Sequence, residues 1–460
     1  MEGMKLRLPA LLVLAASAAA GDGVSLAVGR TFTRPSVPKS LSGVTYLGGN
    51  RYWAVADDGT GAEGGLYEFT AELGPEGTNV VSFSICSTNE RVRLGSAADL
   101  EGCAYDPATG WVWASDEGGR NVRAYDPATG EQVGGVHVPY VLTTHPGNFG
   151  FEALSMRGDG LALWTCNEEA LVGDGARSSH AAGTTVRLAK YSRRSVRDEF
   201  ALEAMYPYTT DAWTYANDYR GKARLGVAGL CALPDGSLLV LERELSFDDK
   251  MIFGVPYVFR LGWRVYRVGR PEDATDVQDF DSLADGATWT GVGKTFLAEG
   301  DGVSNCEGIC LGPRLADGRL SVLLLSDAGD GYSAALLQPL VLSGLDVATL
   351  DFPPPDASLG ADAAASSVGS NYRFLAGTRL SVELSGSAAD AARHAAGGTS
   401  VPLPRWSLAS GAASGAGTVA SFEVSGDDTL LWTGLSAALT VATGTASVGD
   451  AAFFRVKAPR

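Results

Sequence analysis

The chain has 460 residues, which is longer than one ordinary domain. Of these residues 45% are hydrophobic, which is ample for a buried core. Its 53 Asp and Glu residues outnumber 36 Lys and Arg residues, so the formal net charge is −17. Nucleic acids and anionic membranes are bound through clustered Lys and Arg, so this balance argues against both and favours cations as partners. The 59 glycines and the lack of long stretches with a helical period favour an all-β fold.

The first twenty residues, "MEGMKLRLPALLVLAASAAA", have the pattern of a signal peptide. Lys5 and Arg7 precede an apolar core, and small residues follow that suit cleavage near Ala18 or Ala20. A retained N-terminal anchor is the competing interpretation. No later apolar run approaches the roughly 20 residues that span a bilayer. We therefore expect a secreted, periplasmic or cell-surface monomer without membrane insertion after cleavage.

Five similar β-hairpins follow, each with a short apolar run, a glycine-containing turn and a β-rich run that ends in a polar residue. They cover residues 41–59, 99–119, 150–170, 226–246 and 305–331. Such radial repetition is typical of a β-propeller. We predict a propeller of five to six blades over residues 21–350. A sixth blade would be closed by "VSLAVGRTF" pairing with "ALLQPLVLSGL".

Carboxylates recur at the same two places in these hairpins. Glu101, Glu152 and Glu307 lie where inner strands begin. Others lie where second strands finish: Asp57, Asp58, Asp116, Glu117, Glu168, Glu242 and Asp327. Because the second strand returns antiparallel, both sets are predicted to meet at one end of the ring, around one funnel.

Carboxylates this close together raise one another's pKa, so they require a cation, a basic partner or protons. Ca²⁺ suits an all-oxygen site. We expect Glu101, Glu152 and Glu307 to converge with Glu242 and Asp116, and at least two of them to share a divalent cation. The alternative is that the glutamates cap strand ends and the outer acids are solvated.

Other chemistries have weaker support. The four histidines are too few for a multi-histidine zinc centre, although His145 could reach the funnel as a general acid if it is not simply solvent-facing. Cys103, Cys231 and Cys310 follow the glycine of the repeat, which favours small apolar fillers on inner strands, with a disulfide involving Cys306 or Cys310 left open. The aromatic residues of 206–226 could wall a cleft, form a lid or pack on the propeller.

Four motifs in order, "DLEGCAYDP", "GFEALSM", "GSLLVLERE" and "CEGICLG" followed by "LLLSD", resemble the phytase-like family, described by an esterase-like activity of phytase. The likeness covers residues 41–345. It implies a propeller with a calcium-binding acidic centre and a phosphoester substrate. Ser42, Ala228 and Ala153 depart from the Glu-Gly pattern, so not every blade can supply a ligand.

The resemblance and the repeat together define the candidate site. The family's acidic motif positions fall on Asp99, Glu101, Glu152, Glu242, Arg243 and Glu307. The candidate catalytic residues are Glu101, Glu152, Glu242, Arg243 and Glu307. The candidate metal ligands are Asp99, Glu101, Asp116, Glu152, Glu242, Glu307 and Asp327.

Composition changes after residue 350. Residues 351–368 are a Pro-, Ala- and Ser-rich linker, and residues 369–460 alternate apolar and polar positions. We predict a small β-sandwich there that serves as a stalk, spacer or sorting module.

Two functions remain open from the sequence. The first is a calcium-dependent phosphoric ester hydrolase, in which Arg243, Arg120 and Lys222 are candidate phosphate contacts. The second is a non-catalytic propeller that binds a glycan or protein ligand and uses its cation for stability.

Overall fold

Five antiparallel sheets form a closed ring in the computed structural model of this chain. The structure describes residues 23–345, except 37, 58–62, 97–98, 108, 148, 195–197, 285–287, 303 and 330–333, and the backbone of six short strands between 365 and 441. The predicted signal peptide and Asp58 therefore lie outside the described residues. The prediction of an all-β propeller is confirmed, with five blades.

The strands are numbered in chain order. Blade 1 contains β3 (Leu41–Gly48), β4 (Arg51–Ala56), β5 (Gly65–Leu73) and β6 (Val80–Ile85). Blade 2 contains β7 (Leu100–Tyr105), β8 (Val112–Asp116), β9 (Asn121–Tyr125) and β10 (Gln132–Gly135). Blade 3 contains β11 (Phe151–Met156), β12 (Ala162–Asn167), β13 (Thr185–Ser192) and β14 (Ala201–Thr209). Blade 4 contains β15 (Arg224–Ala232), β16 (Leu238–Phe247), β19 (Phe259–Val268) and β20 (Thr295–Gly302), and a small hairpin, β17 (Met251–Ile252) with β18 (Val255–Pro256), lies between β16 and β19.

Blade 5 joins the two ends of the propeller. It contains β21 (Asn305–Arg314), β22 (Leu320–Asp327), β23 (Leu336–Ser343) and the N-terminal strands β1 (Ser25–Val28) and β2 (Phe32–Thr33). β1 runs antiparallel to β23, from the pair Ser25 and Ser343 to the pair Val28 and Leu340. The predicted pairing of these segments is thus present, but it completes the fifth blade and not a sixth, because β21 to β23 lack an outer strand without it.

The five predicted hairpins are the two innermost strands of the five blades. The inner strands β3, β7, β11, β15 and β21 contact one another in that order, and β21 returns to β3. Apolar side chains fill the five interfaces between neighbouring blades. Because blades pack on both sides, central strands such as β22 are buried along their whole length instead of alternating.

A sixth apolar cluster explains the aromatic insertion. Trp213 packs with Leu225, Leu245, Phe247 and Leu261. Core packing therefore accounts for this tryptophan, one of the three roles left open for residues 206–226.

Helix is scarce within the described part of the chain. It contains three 3₁₀ turns, at Tyr140–Thr143, Tyr219–Gly221 and Pro271–Asp273. None of the helices described there is long and apolar enough to cross a bilayer. All six cysteines are free, and Cys103, Cys231 and Cys310 are buried in inter-blade clusters, as apolar fillers would be.

Six further strands follow residue 364. They are β24 (Ala365–Val368), β25 (Tyr372–Leu375), β26 (Arg379–Ser385), β27 (Arg405–Ala409), β28 (Val419–Glu423) and β29 (Thr440–Val441). β24 pairs with β25, and the others form an antiparallel sheet in the order β27, β26, β28, β29. The predicted linker, sandwich and stalk or sorting role stay predictions.

Candidate functional site

A β-bulge at the same place in every inner strand builds the funnel. The pairing register of each inner strand with its neighbour shifts there. The residues that occupy the five equivalent bulge positions are Ser42, Glu101, Glu152, Ala228 and Glu307. A bulge leaves one residue out of the ladder and re-aims its side chain, so the three glutamates turn toward one another. Each is more than nine-tenths buried.

The glycine that follows two of these glutamates has a packing role. A Cβ at Gly102 would lie 2.5 Å from the backbone nitrogen of Leu154 in the next inner strand. A Cβ at Gly308 would lie 2.7 Å from the carbonyl oxygen of Ser42. Only glycine permits this approach, so the Glu-Gly motif combines a funnel carboxylate with tight closure of the ring.

The second strands contribute a further layer at their ends. In each blade, one residue of the second strand pairs with the inner-strand residue just before the bulge, and the next residue along the chain belongs to this layer. These five equivalent residues are Asp57, Glu117, Glu168, Arg243 and Asp327. Side chains alternate along a strand, so the preceding residues face away from this layer. Two of those preceding residues are the predicted ligands Asp116 and Glu242.

Glu242 accordingly lies in a different cluster from the one expected. It accepts hydrogen bonds from the Tyr208 hydroxyl at 2.6 Å, from Lys294 Nζ at 2.7 Å and from the Asp211 backbone N–H at 3.1 Å. Asp116 accepts a bond from the Gly119 N–H at 2.9 Å, within the turn of its own blade. Strand alternation thus places both side chains apart from Glu101, Glu152 and Glu307.

Arg243 is the centre of what we call the arginine cluster: Glu152, Glu168, Arg243, Asn305 and Glu307. Its guanidinium forms ion pairs with Glu168 and Glu307, and Nη2 lies 3.5 Å from Glu152 Oε1. The Asn305 amide donates to Glu307 Oε1 at 2.8 Å and to Asp327 Oδ2 at 3.2 Å. Arg243 is 3% exposed, so its positive charge is balanced by glutamates from blades 3 and 5 and not by solvent.

Asp57, Asp99 and Glu101 form a different arrangement, which we call the acidic triad. One carboxylate oxygen from each lies within 4.8 Å of the others. Asp57 and Asp99 are paired by a backbone bridge between blades 1 and 2, and Ser42 Oγ donates to Glu101 Oε2 at 2.7 Å. The nearby Glu117 is 1% exposed, and its Oε2 has no hydrogen-bond partner among the described residues.

The electrostatics reflect this crowding. Burial raises the pKa of Glu101 well above its ordinary value, and the charges of Asp57 and Glu307 raise it further. Burial also raises the pKa of Glu152 well above the ordinary value. It raises the pKa of Glu307 to about 8, although Arg243 opposes the shift, and that of Glu117 to about 7. Ionising the whole set together is therefore unfavourable without added positive charge.

The triad and its neighbour Glu117 have the chemistry of a calcium site. Ca²⁺ is bound by six to eight oxygen ligands at about 2.3–2.6 Å, which three clustered carboxylates, carbonyls and waters can supply. Glu117 Oε2, which no described residue contacts by a hydrogen bond, adds a further oxygen beside Asp99, whose carbonyl accepts the Glu117 N–H at 2.9 Å. Of the seven predicted metal ligands, Asp99 and Glu101 fall in this triad.

The remaining predicted residues lie as follows. Glu152 and Glu307 contact Arg243, and Asp327 contacts Asn305. Arg120 is exposed, and its Nη1 donates to the Thr143 carbonyl at 2.8 Å. Lys222 is exposed on the loop before β15. Asp57, Glu117 and Glu168 were predicted from the hairpin ends to face the funnel but were not chosen as metal ligands or catalytic residues, and Asn305 was not singled out.

Three solved structures illustrate a distant likeness to the chain. A hydrazine synthase of Kuenenia stuttgartiensis is 10% identical with a TM-score of 0.27, and the match covers 63% of this chain and 56% of that one. A streptogramin B lyase is 12% identical over 70% of this chain and 98% of its own, with a TM-score of 0.29. An Aspergillus kawachii beta-fructofuranosidase complexed with glycerol is 10% identical over 81% and 77%, with a TM-score of 0.34. Likenesses at this level carry no functional argument.

No curated protein matches the chain at a significant level. The model of one family does match, over residues 39–328, which is more than half of the chain. That stretch runs from the start of blade 1 to the second strand of blade 5 and contains both the arginine cluster and the acidic triad. The chain belongs to the phytase-like family, described by the esterase-like activity of phytase.

Proposed function

We propose that this protein is an exported hydrolase of phosphoric esters that depends on a divalent cation, Ca²⁺, held in the funnel. The observation that carries the proposal is the acidic triad, in which three carboxylates meet within 4.8 Å beside a buried Glu117 oxygen for which the described part of the chain offers no hydrogen-bond partner. Membership of the phytase-like family supports the reaction class. When bound, such a cation supplies the positive charge that a phosphoryl oxygen needs as charge builds up during transfer.

The roles of the chain's own residues follow from their contacts. Asp57, Asp99 and Glu101 would hold the cation, and Ser42 orients Glu101 by donating to its Oε2. The arginine cluster would keep the opposite side of the funnel rigid, since Arg243 ties blade 4 to blades 3 and 5. Glu152 and Glu307 would then act as positioning residues and not as reacting groups.

One observation favours the second candidate, a non-catalytic propeller that binds a glycan or protein ligand and holds a structural cation. A phosphate needs cationic contacts beyond one metal. Arg243, the basic residue that the sequence offered for this purpose, is buried against three glutamates. A substrate phosphate would have to find its further contacts in loops around the funnel.

A metal assay combined with an activity assay separates these candidates. Purified full-length protein is analysed for bound metal and is then tested on p-nitrophenyl phosphate, bis(p-nitrophenyl) phosphate and sugar phosphates, with Ca²⁺ and with chelator. The hydrolase proposal predicts about one Ca²⁺ per chain and turnover that chelator abolishes. Bound calcium without turnover of any ester would favour the binding propeller, and absence of both would refute the cation site.

A further inference from the structure

The small hairpin between β16 and β19 exposes a contiguous set of apolar side chains. Ten large apolar side chains are exposed among the described residues, and five of them lie in this hairpin: Met251, Ile252, Phe253, Val255 and Tyr257. Exposed apolar residues that stand singly are common, whereas a contiguous apolar patch marks a contact surface. We call these five residues the apolar tip.

The turn of this hairpin departs from the usual residue preference. Ile252 pairs with Val255, so Phe253 and Gly254 form a two-residue turn in which their φ angles are 50° and 78°. Turns with two positive φ values favour Asn, Asp or Gly at the first position, because a bulky side chain is strained there. The Phe253 side chain is fully exposed, so no packing within the described part of the chain offsets this strain. A strained and exposed aromatic residue points to a role outside the fold.

The base of the hairpin is packed, which holds the apolar tip away from the propeller. Asp248 donates its N–H to the Val258 carbonyl at 3.0 Å. Next to this bond, the ring of Phe247 lies 6.4 Å from that of Phe259 and 5.5 Å from that of Tyr219, measured between centroids. The apolar tip is therefore carried on a supported projection and has not folded back onto the blade.

The apolar tip lies at the funnel end of blade 4. β16 runs past Arg243 of the funnel layer to Phe247, and the hairpin follows. Two further exposed apolar residues belong to the same end of the ring. Tyr140 lies in the loop that leads to β11, and Val172 lies in the loop that follows β12. Because β11 begins and β12 ends at the funnel, exposed apolar residues occur in three separate loops at this end.

The position and charge of the apolar tip bear on what covers it. Leu342, near the end of β23, pairs with Leu320 at the start of β22, so the chain leaves blade 5 at the end opposite the funnel. Residues after this point therefore start from the other face. A second copy would bring the same net charge of −17, which opposes association. A protein groove would accept one projection, whereas a lipid surface accepts apolar residues from three separate loops.

We propose that the apolar tip inserts into the surface of a zwitterionic lipid bilayer, with the funnel end of blade 4 toward the lipid. The pairing of β17 with β18 satisfies backbone groups inside the hairpin, as apolar surroundings require. Aromatic side chains such as Phe253 and Tyr257 suit the boundary between headgroups and acyl chains. This contact is interfacial and differs from spanning the bilayer, which needs roughly 20 apolar residues. It requires neither the cation nor the hydrolysis proposed above.

Flotation with phosphatidylcholine vesicles in the presence of chelator tests the proposal. We expect full-length wild-type protein to float with the vesicles even in about 1 M salt, because salt screens charges and not apolar contacts.

The substitution Phe253→Asn separates lipid binding from folding. Asparagine is preferred at this place in the turn, so Tm should equal or exceed that of the wild type. The affinity for the vesicles should fall about 10-fold, because one aromatic side chain no longer enters the lipid. The matched control is Val81→Thr, which changes an exposed apolar residue on the outer strand β6 and should float like the wild type.

Three results would overturn the proposal. The first is equal vesicle affinity of the wild type and Phe253→Asn, which would also follow if the N-terminal segment caused the binding. The second is binding that high salt abolishes, which would assign the contact to charge. The third is a wild type that does not float, and an oligomer that Phe253→Asn dissociates would then show that a second copy covers the apolar tip. Because chelator is present and no ester is used, these results stand apart from the test of the proposed function.

Discussion

The two sides of the funnel solve the same electrostatic problem in different ways. In the arginine cluster, three buried glutamates surround Arg243, which lies within 3.5 Å of each. In the acidic triad, carboxylates from blades 1 and 2 crowd together, and the hydrogen bond described for Glu101 comes from a neutral serine. One side contains its own positive charge, whereas on the other side we propose that a bound cation supplies it.

This difference assigns the two sides different roles. A buried arginine surrounded by carboxylates fixes geometry, and removing it leaves charges without compensation. A carboxylate cluster without an internal cation is costly until a ligand binds, so its energy depends on solution conditions. We therefore propose that the arginine cluster serves as the frame and the acidic triad as the cation-binding site.

Removing Arg243 is expected to have the largest effect. Arg243→Met leaves Glu152, Glu168 and Glu307 buried without their partner, and we expect a loss of about 3–5 kcal/mol in the free energy of unfolding. Urea unfolding at pH 8 with chelator measures it. The control Arg319→Met removes solvent-screened ion pairs with Asp317 and Glu76 and should leave the free energy of unfolding nearly unchanged. Equal losses in the free energy of unfolding of the two variants would contradict the structural role of the arginine cluster.

Glu101→Gln should separate calcium binding from folding. The wild type should gain about 2.7 kcal/mol at a calcium concentration 100 times Kd. The variant should lose most of that gain, yet be at least as stable as the wild type with chelator at pH 8, because one crowded carboxylate is gone. Thermal melts with Ca²⁺ and with chelator measure both effects.

The matched variant for this comparison is Glu307→Gln. Glu307 Oε1 already contacts Arg243 and Asn305. Its replacement should therefore leave the calcium-induced gain in the free energy of unfolding within about twofold of the wild-type value. Equal loss of the calcium response in Glu101→Gln and Glu307→Gln would place the cation between the two sides and remove the distinction drawn above.

A smaller effect is expected from pH. In the folded state the pKa of Glu307 is about 8 and that of Glu117 is about 7, both above the ordinary 4.5. Between pH 4.5 and pH 8 the folded state therefore binds more protons than the unfolded state. That stability is present below pH 4.5 and is lost as pH rises to about 8. Metal-free protein should therefore melt at a lower temperature at pH 9 than at pH 5. Saturating Ca²⁺ should reduce the difference, and melts that rise with pH would contradict it.

Much of the fold could be predicted from the hairpin repeat, because its turns and apolar runs are local signals in the sequence. It also put Glu101, Glu152 and Glu307 at equivalent places, which the bulges turn into one funnel. Which residue of a second strand faces the funnel was not predictable, since a bulge shifts the pairing and the choice between Glu242 and Arg243 depends on one position. Glu152, Arg243 and Glu307 were predicted to share one site, but their ion pairs were not predictable, because the members of the arginine cluster are up to 155 positions apart and meet only when the ring closes.

The location of the cation tests the account most directly. Crystals of the full-length protein grown with Ca²⁺, or soaked with Mn²⁺ as an anomalous substitute, would reveal it in a difference map. We predict one peak about 2.3–2.6 Å, for calcium, from carboxylate oxygens of Asp57, Asp99 and Glu101, and none in the arginine cluster. A peak bound by Glu152 and Glu307, or none in the funnel at saturating calcium, would contradict the central claim that the triad is the binding side.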